Sequence, residues 1–185
     1  MANPDRPSGF RPVKTLTGAP MSSMIRSIGV TDGADMFVGD MLTLTSNLAA
    51  VSASNDSTFL GVAVGFGKKN PATGEWDSAY NPDNLTVQYY DDSANTHTDW
   101  HVFYVPAEMA VFEVQSASDL DLAVGDTCDL LATAGTTATG RSNHEVTTSS
   151  NTDFTVVEIP SYPDNDSTLA NTRYWVKTIT SAFSQ

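Results

Sequence analysis

The run Phe59-Leu60-Gly61-Val62-Ala63-Val64-Gly65-Phe66-Gly67, FLGVAVGFG at positions 59–67, is apolar from end to end and carries three glycines. A strand with one wet face alternates apolar and polar residues, so an unbroken apolar run of this length reads as a strand buried on both faces. Glycine inside a strand marks a bulge, or a point where another backbone comes close. Gly61, Gly65 and Gly67 therefore mark irregularities, as in a buried strand of a barrel.

Working outward, the flanking sequence keeps this character. DMFVGDMLTLT (35–45) alternates Met41, Thr43 and Thr45 against Leu42 and Leu44, and MIRSIGV (24–30) reads as the opening strand. Downstream, LTVQYY (85–90), WHVFYVP (100–106), AVFEVQ (110–115), FTVVEIP (154–160) and RYWVKTIT (173–180) are rich in β-branched and aromatic residues. Gly, Asn, Asp and Ser clusters separate them, which is the pattern of strands and turns. LAVGDTCDLLA (122–132) reads as a strand pair around a turn, and 133–153 as one low-complexity loop. The expected fold class is all-β, an antiparallel barrel or sandwich body with an extended N-terminal arm.

The triplet Val38-Gly39-Asp40 recurs as Val124-Gly125-Asp126, 86 residues on. Glycine supplies a turn conformation that other residues avoid, and Asp bonds nearby backbone, so both copies read as corners from which a strand starts. The sequences that follow the triplets do not align, which leaves duplication undecided.

Residues 1–26 form the expected arm. Pro4, Pro7, Pro12 and Pro20 with Gly9 and Gly18 forbid a helix interior or a central strand. The arm carries Arg6, Arg11, Lys14 and Arg26 against Asp5 alone, a net of +3, and leaves −16 for the rest of a chain whose total is −13. Residues 27–185 are the β-rich body, either one unit or two lobes at about 27–110 and 111–185. The negative total argues against binding a nucleic-acid backbone through the bulk surface. The sequence has no apolar run of the ~18–20 residues a membrane span needs. The first residues lack the apolar stretch of a signal peptide, so the chain is expected in the cytoplasm of its producer or wherever an assembly carries it.

Motifs that would carry chemistry are weak. His97 and His101, with Asp91, Asp92 and Asp99, offer fewer ligands on one face than a zinc site needs, and read as an acidic surface loop. Residues 164–167 lack the glycine and distal glutamate of a calcium loop. Cys128 lies beside Asp126 and Asp129, whose charge raises a thiol pKa, so it reads as a small core hydrophobe. GVAVGFGKK lacks the following Ser or Thr, and the helix, of a phosphate loop. No catalytic, cofactor or metal residues are expected.

Taken in order, GFRPVKTLTGAP (9–20), FVGD (37–40), FLGVAVGF (59–66), VPAEMAVFEVQ (105–115), TATGRSNHEV (137–146) and RYWVKT (173–178) resemble the capsid decoration, or head-stabilising, proteins of tailed bacteriophages. The resemblance implies a non-enzymatic β-rich virion protein on the outside of the shell. Its partner would be the major capsid protein, and it would often be a homotrimer. The basic arm would reach onto the shell, with Phe10, Val13 and Leu16 as apolar anchors and Arg6, Arg11 and Lys14 meeting acidic patches. On that reading, protein lacking residues 2–26 stays folded and loses attachment. The competing expectation is a carbohydrate- or receptor-binding β-module using loop aromatics such as Trp76, Tyr80 and Tyr162.

Overall fold

The computed structural model describes residues 2–77, 89–148 and 150–183, and these form an all-β protein. In chain order the strands are β1 (Arg11–Thr15), β2 (Arg26–Gly29), β3 (Met36–Phe37), β4 (Met41–Thr45), β5 (Leu48–Val51), β6 (Gly61–Lys68), β7 (Tyr89–Tyr90), β8 (Trp100–Pro106), β9 (Ala110–Gln115), β10 (Thr127–Leu131), β11 (Glu145–Thr147), β12 (Phe154–Glu158) and β13 (Arg173–Thr178). A five-stranded sheet has the order β2-β8-β6-β4-β5 and a six-stranded sheet the order β1-β9-β13-β12-β10-β11, while β3 and β7 pair separately. All these strand pairs are antiparallel. No helix among the described residues is long and apolar enough to cross a membrane.

From Gly61 onward the apolar run becomes β6, and it is buried on both faces because two cores flank it. Val62 packs with Phe59, Met41, Phe112 and Phe154 in one core; Ala63 and Phe66 pack with Leu42, Val102 and Tyr104 in the other. Its glycines serve two needs. The register against β8 slips between Ala63 and Gly65, which is a bulge. A Cβ at Gly61 would lie 2.2 Å from the Val105 carbonyl oxygen, so only glycine permits that approach of β8.

The two sheets are built alike. Each main sheet contains five strands placed, in their chain order, as first, fifth, fourth, second, third: β2-β8-β6-β4-β5, with β3 and β7 paired apart, and β9-β13-β12-β10-β11. Each curls until its ends meet through a parallel bridge, Val30 to Ala49 in one and Ser116 to Val146 in the other. Thr31 N–H donates to Ala49 O and Ala117 N–H to Val146 O, closing both rings the same way. The registers correspond residue by residue. Met41 opposite Val62 matches Thr127 opposite Thr155, and the bulge between Ala63 and Gly65 matches one between Val156 and Glu158. Each ring is preceded by a short 3-10 turn capped by a proline, Pro20 or Pro106, with nearly identical backbone angles.

The paired Val-Gly-Asp triplets are the same corner used twice. Gly39 and Gly125 sit at φ of 97° and 99°, a region that favours glycine. Asp40 Oδ2 accepts from Phe37 N–H at 2.7 Å, and Asp126 Oδ2 accepts from Ala123 N–H at 2.9 Å. Gly39 N–H then donates to Ala63 O while Ala63 N–H returns to Asp40 O; Gly125, Asp126 and Val156 repeat the exchange. The chain thus folds as two tandem rings of one design.

The structure corrects three expectations. LAVGDTCDLLA is a turn followed by the single strand β10, because Asp126 closes the corner instead of entering a strand. Residues 133–153 contain strand β11 and the buried Ser142 and His144, so this low-complexity stretch is partly core. The arm is not free: residues 11–15 are β1, paired along β9 at the edge of the six-stranded sheet. Edge strands tolerate proline, which is how Pro12 fits there. Of LTVQYY, Tyr89 and Tyr90 form β7, whereas Leu85 to Gln88 and Tyr80 lie outside the described residues.

Candidate partner-binding face

The N-terminal segment is fastened to the second ring and, at Phe10, to the corner of the first. Asn3 is buried, with Nδ2 donating to the carbonyls of Asp166 (2.8 Å) and Ala170 (3.0 Å) and Oδ1 accepting from Asp166 N–H (2.7 Å). Arg6 N–H donates to Gln115 Oε1, and Phe10 N–H to Gly39 O at 2.8 Å. Arg11 opposes Glu113 and Pro12 opposes Phe112, then the register slips so that Lys14 opposes Val111. Leu16 N–H donates to Met109 O and ends the pairing.

This placement sorts the six residues expected to meet a partner. Phe10 is 1% exposed, its ring 5.0 Å from that of Phe154, so it anchors this chain's own core. That is a correction: an aromatic next to a glycine turn in a Pro-rich segment reads as a partner anchor until the core that receives it is known. Val13 is half-buried at the bulge. Leu16, at 54%, is well exposed, and Arg6, Arg11 and Lys14 are exposed.

Arg11 and Lys14 do not act alone. The outer face of the six-stranded sheet is organised around Glu113, which is buried at the strand centre. Glu113 Oε1 accepts from Arg11 Nη2 at 2.6 Å; Oε2 accepts from Tyr162 OH and Trp175 Nε1, each at 3.0 Å. Three donors on one carboxylate offset the cost of burying it. Lys14 Nζ lies 5.3 Å from the Trp175 ring centre and 3.7 Å from Glu158 Oε2. The Arg173 guanidinium covers the Tyr162 ring at 4.6 Å and pairs with Asp164, while Asn165 Oδ1 accepts from Arg173 N–H.

Strand alternation explains the membership. In β13, Tyr174 and Val176 point into the core, so Arg173, Trp175 and Lys177 share the outer face. Arg11, Lys14, Arg173 and Lys177 are four of the nine Lys and Arg residues in the chain, and Arg6 adjoins them beside Gln115. The RYWVKT alternation was the available sequence signal for Arg173, Trp175 and Lys177. Glu113 had none, since it stands inside the apolar run AVFEVQ.

The remaining sequence candidates have plain structural roles. Tyr162 has its hydroxyl on Glu113 and its ring under Arg173, and Trp76, 39% exposed, packs against Phe103 and His101. Neither presents a free stacking face of the kind a sugar site requires. His97 Nδ1 lies 3.5 Å from Asp32 Oδ1, in a 3-10 turn and not in a plain loop. Among the described residues no group of three or more His, Cys, Asp or Glu side chains is placed to hold a metal ion. Cys128 lies in the core, where burial first, and then Asp129 and Asp153, push its thiol up to about 12.

No protein-family model matches the chain, and no curated protein or solved structure matches it significantly.

Proposed function

We propose that this protein is a structural component of a bacteriophage virion. It binds the outer surface of the assembled shell and bridges neighbouring subunits of the major capsid protein, as a homotrimer. It is made in the host cytoplasm, carries no catalysis or cofactor, and touches neither nucleic acid nor membrane. The order of its motifs resembles the decoration proteins. The observation that supports attachment through one face is the gathering of Arg11, Lys14, Arg173 and Lys177 around Trp175 in a chain of net charge −13. Such a face meets an acidic protein surface, gaining encounter rate and register. Many copies on one shell make modest single contacts add up.

The test is co-sedimentation with undecorated capsids. Wild-type protein is expected to pellet at a fixed number of copies per shell, and the variant Lys14→Glu with Lys177→Glu is expected to stay in the supernatant. Both lysines are exposed, so the variant keeps its fold. Raising salt well above the physiological range weakens attachment, because exposed charges are screened within about 8 Å at 0.15 M. Attachment that survives both charge reversals would sink this face, and failure of wild-type protein to pellet would sink the shell reading.

A further inference from the structure

The two Val-Gly-Asp corners share their internal bonds and differ in what lies on them. In the first ring, Val38 N–H donates to Gly140 O at 3.2 Å and Ser142 N–H donates to Val38 O at 2.9 Å, a parallel bridge to Arg141. Gly39 O accepts from Phe10 N–H at 2.8 Å. His144, two residues past Ser142, brings Nε2 to 3.5 Å from Asp40 Oδ1. The Val38 corner is thus a seat for an extended segment of the other ring. That segment needs a small residue after Arg141, because Ser142 Cβ stands only 3.3 Å from the place of a Cβ on Gly39.

At the second corner the same three backbone groups, Val124 N–H, Val124 C=O and Gly125 C=O, bond no described residue. Val124 is 63% exposed whereas Val38 is half-buried, and nothing lies within 4 Å of a Cβ built on Gly125. Asp119, Asp121 and Asp126 are exposed beside it, and none of them is in an ion pair. An extended segment with cationic side chains and one small residue suits this corner, as Arg141, Ser142 and His144 suit the first. The chain does not supply it. Residues 140–144 belong to the connection between β10 and β11 and already sit on the Val38 corner. The matching connection of the first ring, between β4 and β5, is only the turn Ser46-Asn47, so a second copy placed here as the second ring is placed at Val38 has nothing to extend over Val124.

We propose that the corner from Ala123 to Asp126 docks an extended basic segment of a different protein, running parallel to Val124, with a Gly- or Ser-sized residue over Gly125 and cationic side chains toward Asp119, Asp121 and Asp126. The residues involved are not Lys14, Trp175 or Lys177, and the test needs no shell, so failure here leaves the shell reading standing.

The test is fluorescence anisotropy of the full chain with a labelled peptide of residues 138–144 carrying His144→Lys, and, as control, the same peptide carrying Arg141→Glu and His144→Glu. The basic peptide is expected to bind saturably and the acidic one about tenfold more weakly, the size of one close charge pair. Asp119→Lys with Asp121→Asn in the full chain removes that preference; both positions are exposed, and Asn tolerates the φ of 46° at 121. Val124→Pro removes the N–H that a docked carbonyl takes and no bond within the chain. Ala123 O accepts from Asp126 N–H and Gly125 sits at φ 99°, the pattern of a type II turn whose second position, held by Val124, favours proline. This variant therefore keeps its fold by circular dichroism and binds the basic peptide about fivefold more weakly. Absence of saturable binding, or binding that neither variant alters, overturns the proposal. So does a concentration-dependent self-association that Val124→Pro breaks, which would assign the corner to a second copy.

Discussion

Replacing Phe10 by Ala tests whether the N-terminal segment belongs to the folded body. Phe10 is 1% exposed and packs in the core that holds Phe59, Phe112 and Phe154. Truncating a buried Phe costs ~3–5 kcal/mol, through lost transfer free energy and the cavity left behind. Part of that is the ring pair with Phe154 at 5.0 Å, worth ~0.5–1.5 kcal/mol. The site cannot readily collapse, because the Phe10 backbone is bonded to Gly39 O and its neighbours are ring-sized. Against a typical total of ~5–15 kcal/mol the loss is large.

Urea unfolding followed by tryptophan fluorescence measures it, since Trp175 lies on the sheet that β1 edges. The expected midpoint shift corresponds to ~3–5 kcal/mol, or ~6–20 °C in Tm for a chain of this size. A loss below ~1 kcal/mol would refute the reasoning, because it would mean that residues 2–16 are a tail lying on a body stable without them. The same logic replaces the expectation that protein lacking residues 2–26 stays folded. Deletion strips β1 from β9, removes Phe10 and Met24 from the core and shortens β2, so it destabilises the protein before any attachment is measured.

Two further outcomes follow from the duplicated corner. Gly39→Ala and Gly125→Ala impose the same backbone strain, ~1–2 kcal/mol at these angles. Only at Gly39 does a Cβ meet backbone, 2.5 Å from Ser8 O, so chemical denaturation should show Gly39→Ala clearly more destabilising; equal losses would refute that packing. Buried Asp40 and His144 give opposed pH dependences. His144 is held neutral, with Nδ1 accepting from Met41 N–H, and burial lowers its pKa from 6.5 to about 4, so its contribution is lost as pH falls from 6.5 to 4. Burial raises Asp40 from 3.8 to about 6, so its contribution is full below 3.8 and lost as pH rises through 6. Each is worth ~3 kcal/mol and they nearly cancel between pH 4 and 6. His144→Asn keeps an acceptor but removes the titration, so its stability relative to wild type should rise as pH falls across that window; urea midpoints at pH 4, 5, 6 and 7 would show it, and a pH-independent difference would refute it.

Much of the local structure was legible. Glycines in an apolar run do mark the bulge after Ala63 and the close approach of Val105, because a missing Cβ acts within a few ångströms. The Val-Gly-Asp triplets were readable as corners because glycine's φ and the short Asp side chain act within four residues. The basic charge of the first 26 residues was legible too, and Arg11 and Lys14 do face solvent. Tyr162 and Trp76 were misleading as stacking residues, since exposure in a loop says nothing of what lies beneath the ring.

By itself, then, the sequence determined the β class, the corners, the bulged central strand and the sign of charge along the chain. Tertiary structure alone decided that the first segment is a sixth strand with Phe10 inside, that Arg173, Trp175 and Lys177 join Arg11 and Lys14, and that two rings of equal register stand in tandem. It also decided that Asp40 of one ring meets His144 of the other, and that β1 covers the edge of β9. The physical reason is range. Turn conformations and strand propensity are set by neighbouring residues. Strand partners are chosen by matching edges, faces and charges across separations as large as Arg11 to Glu113, where no local pattern records the choice.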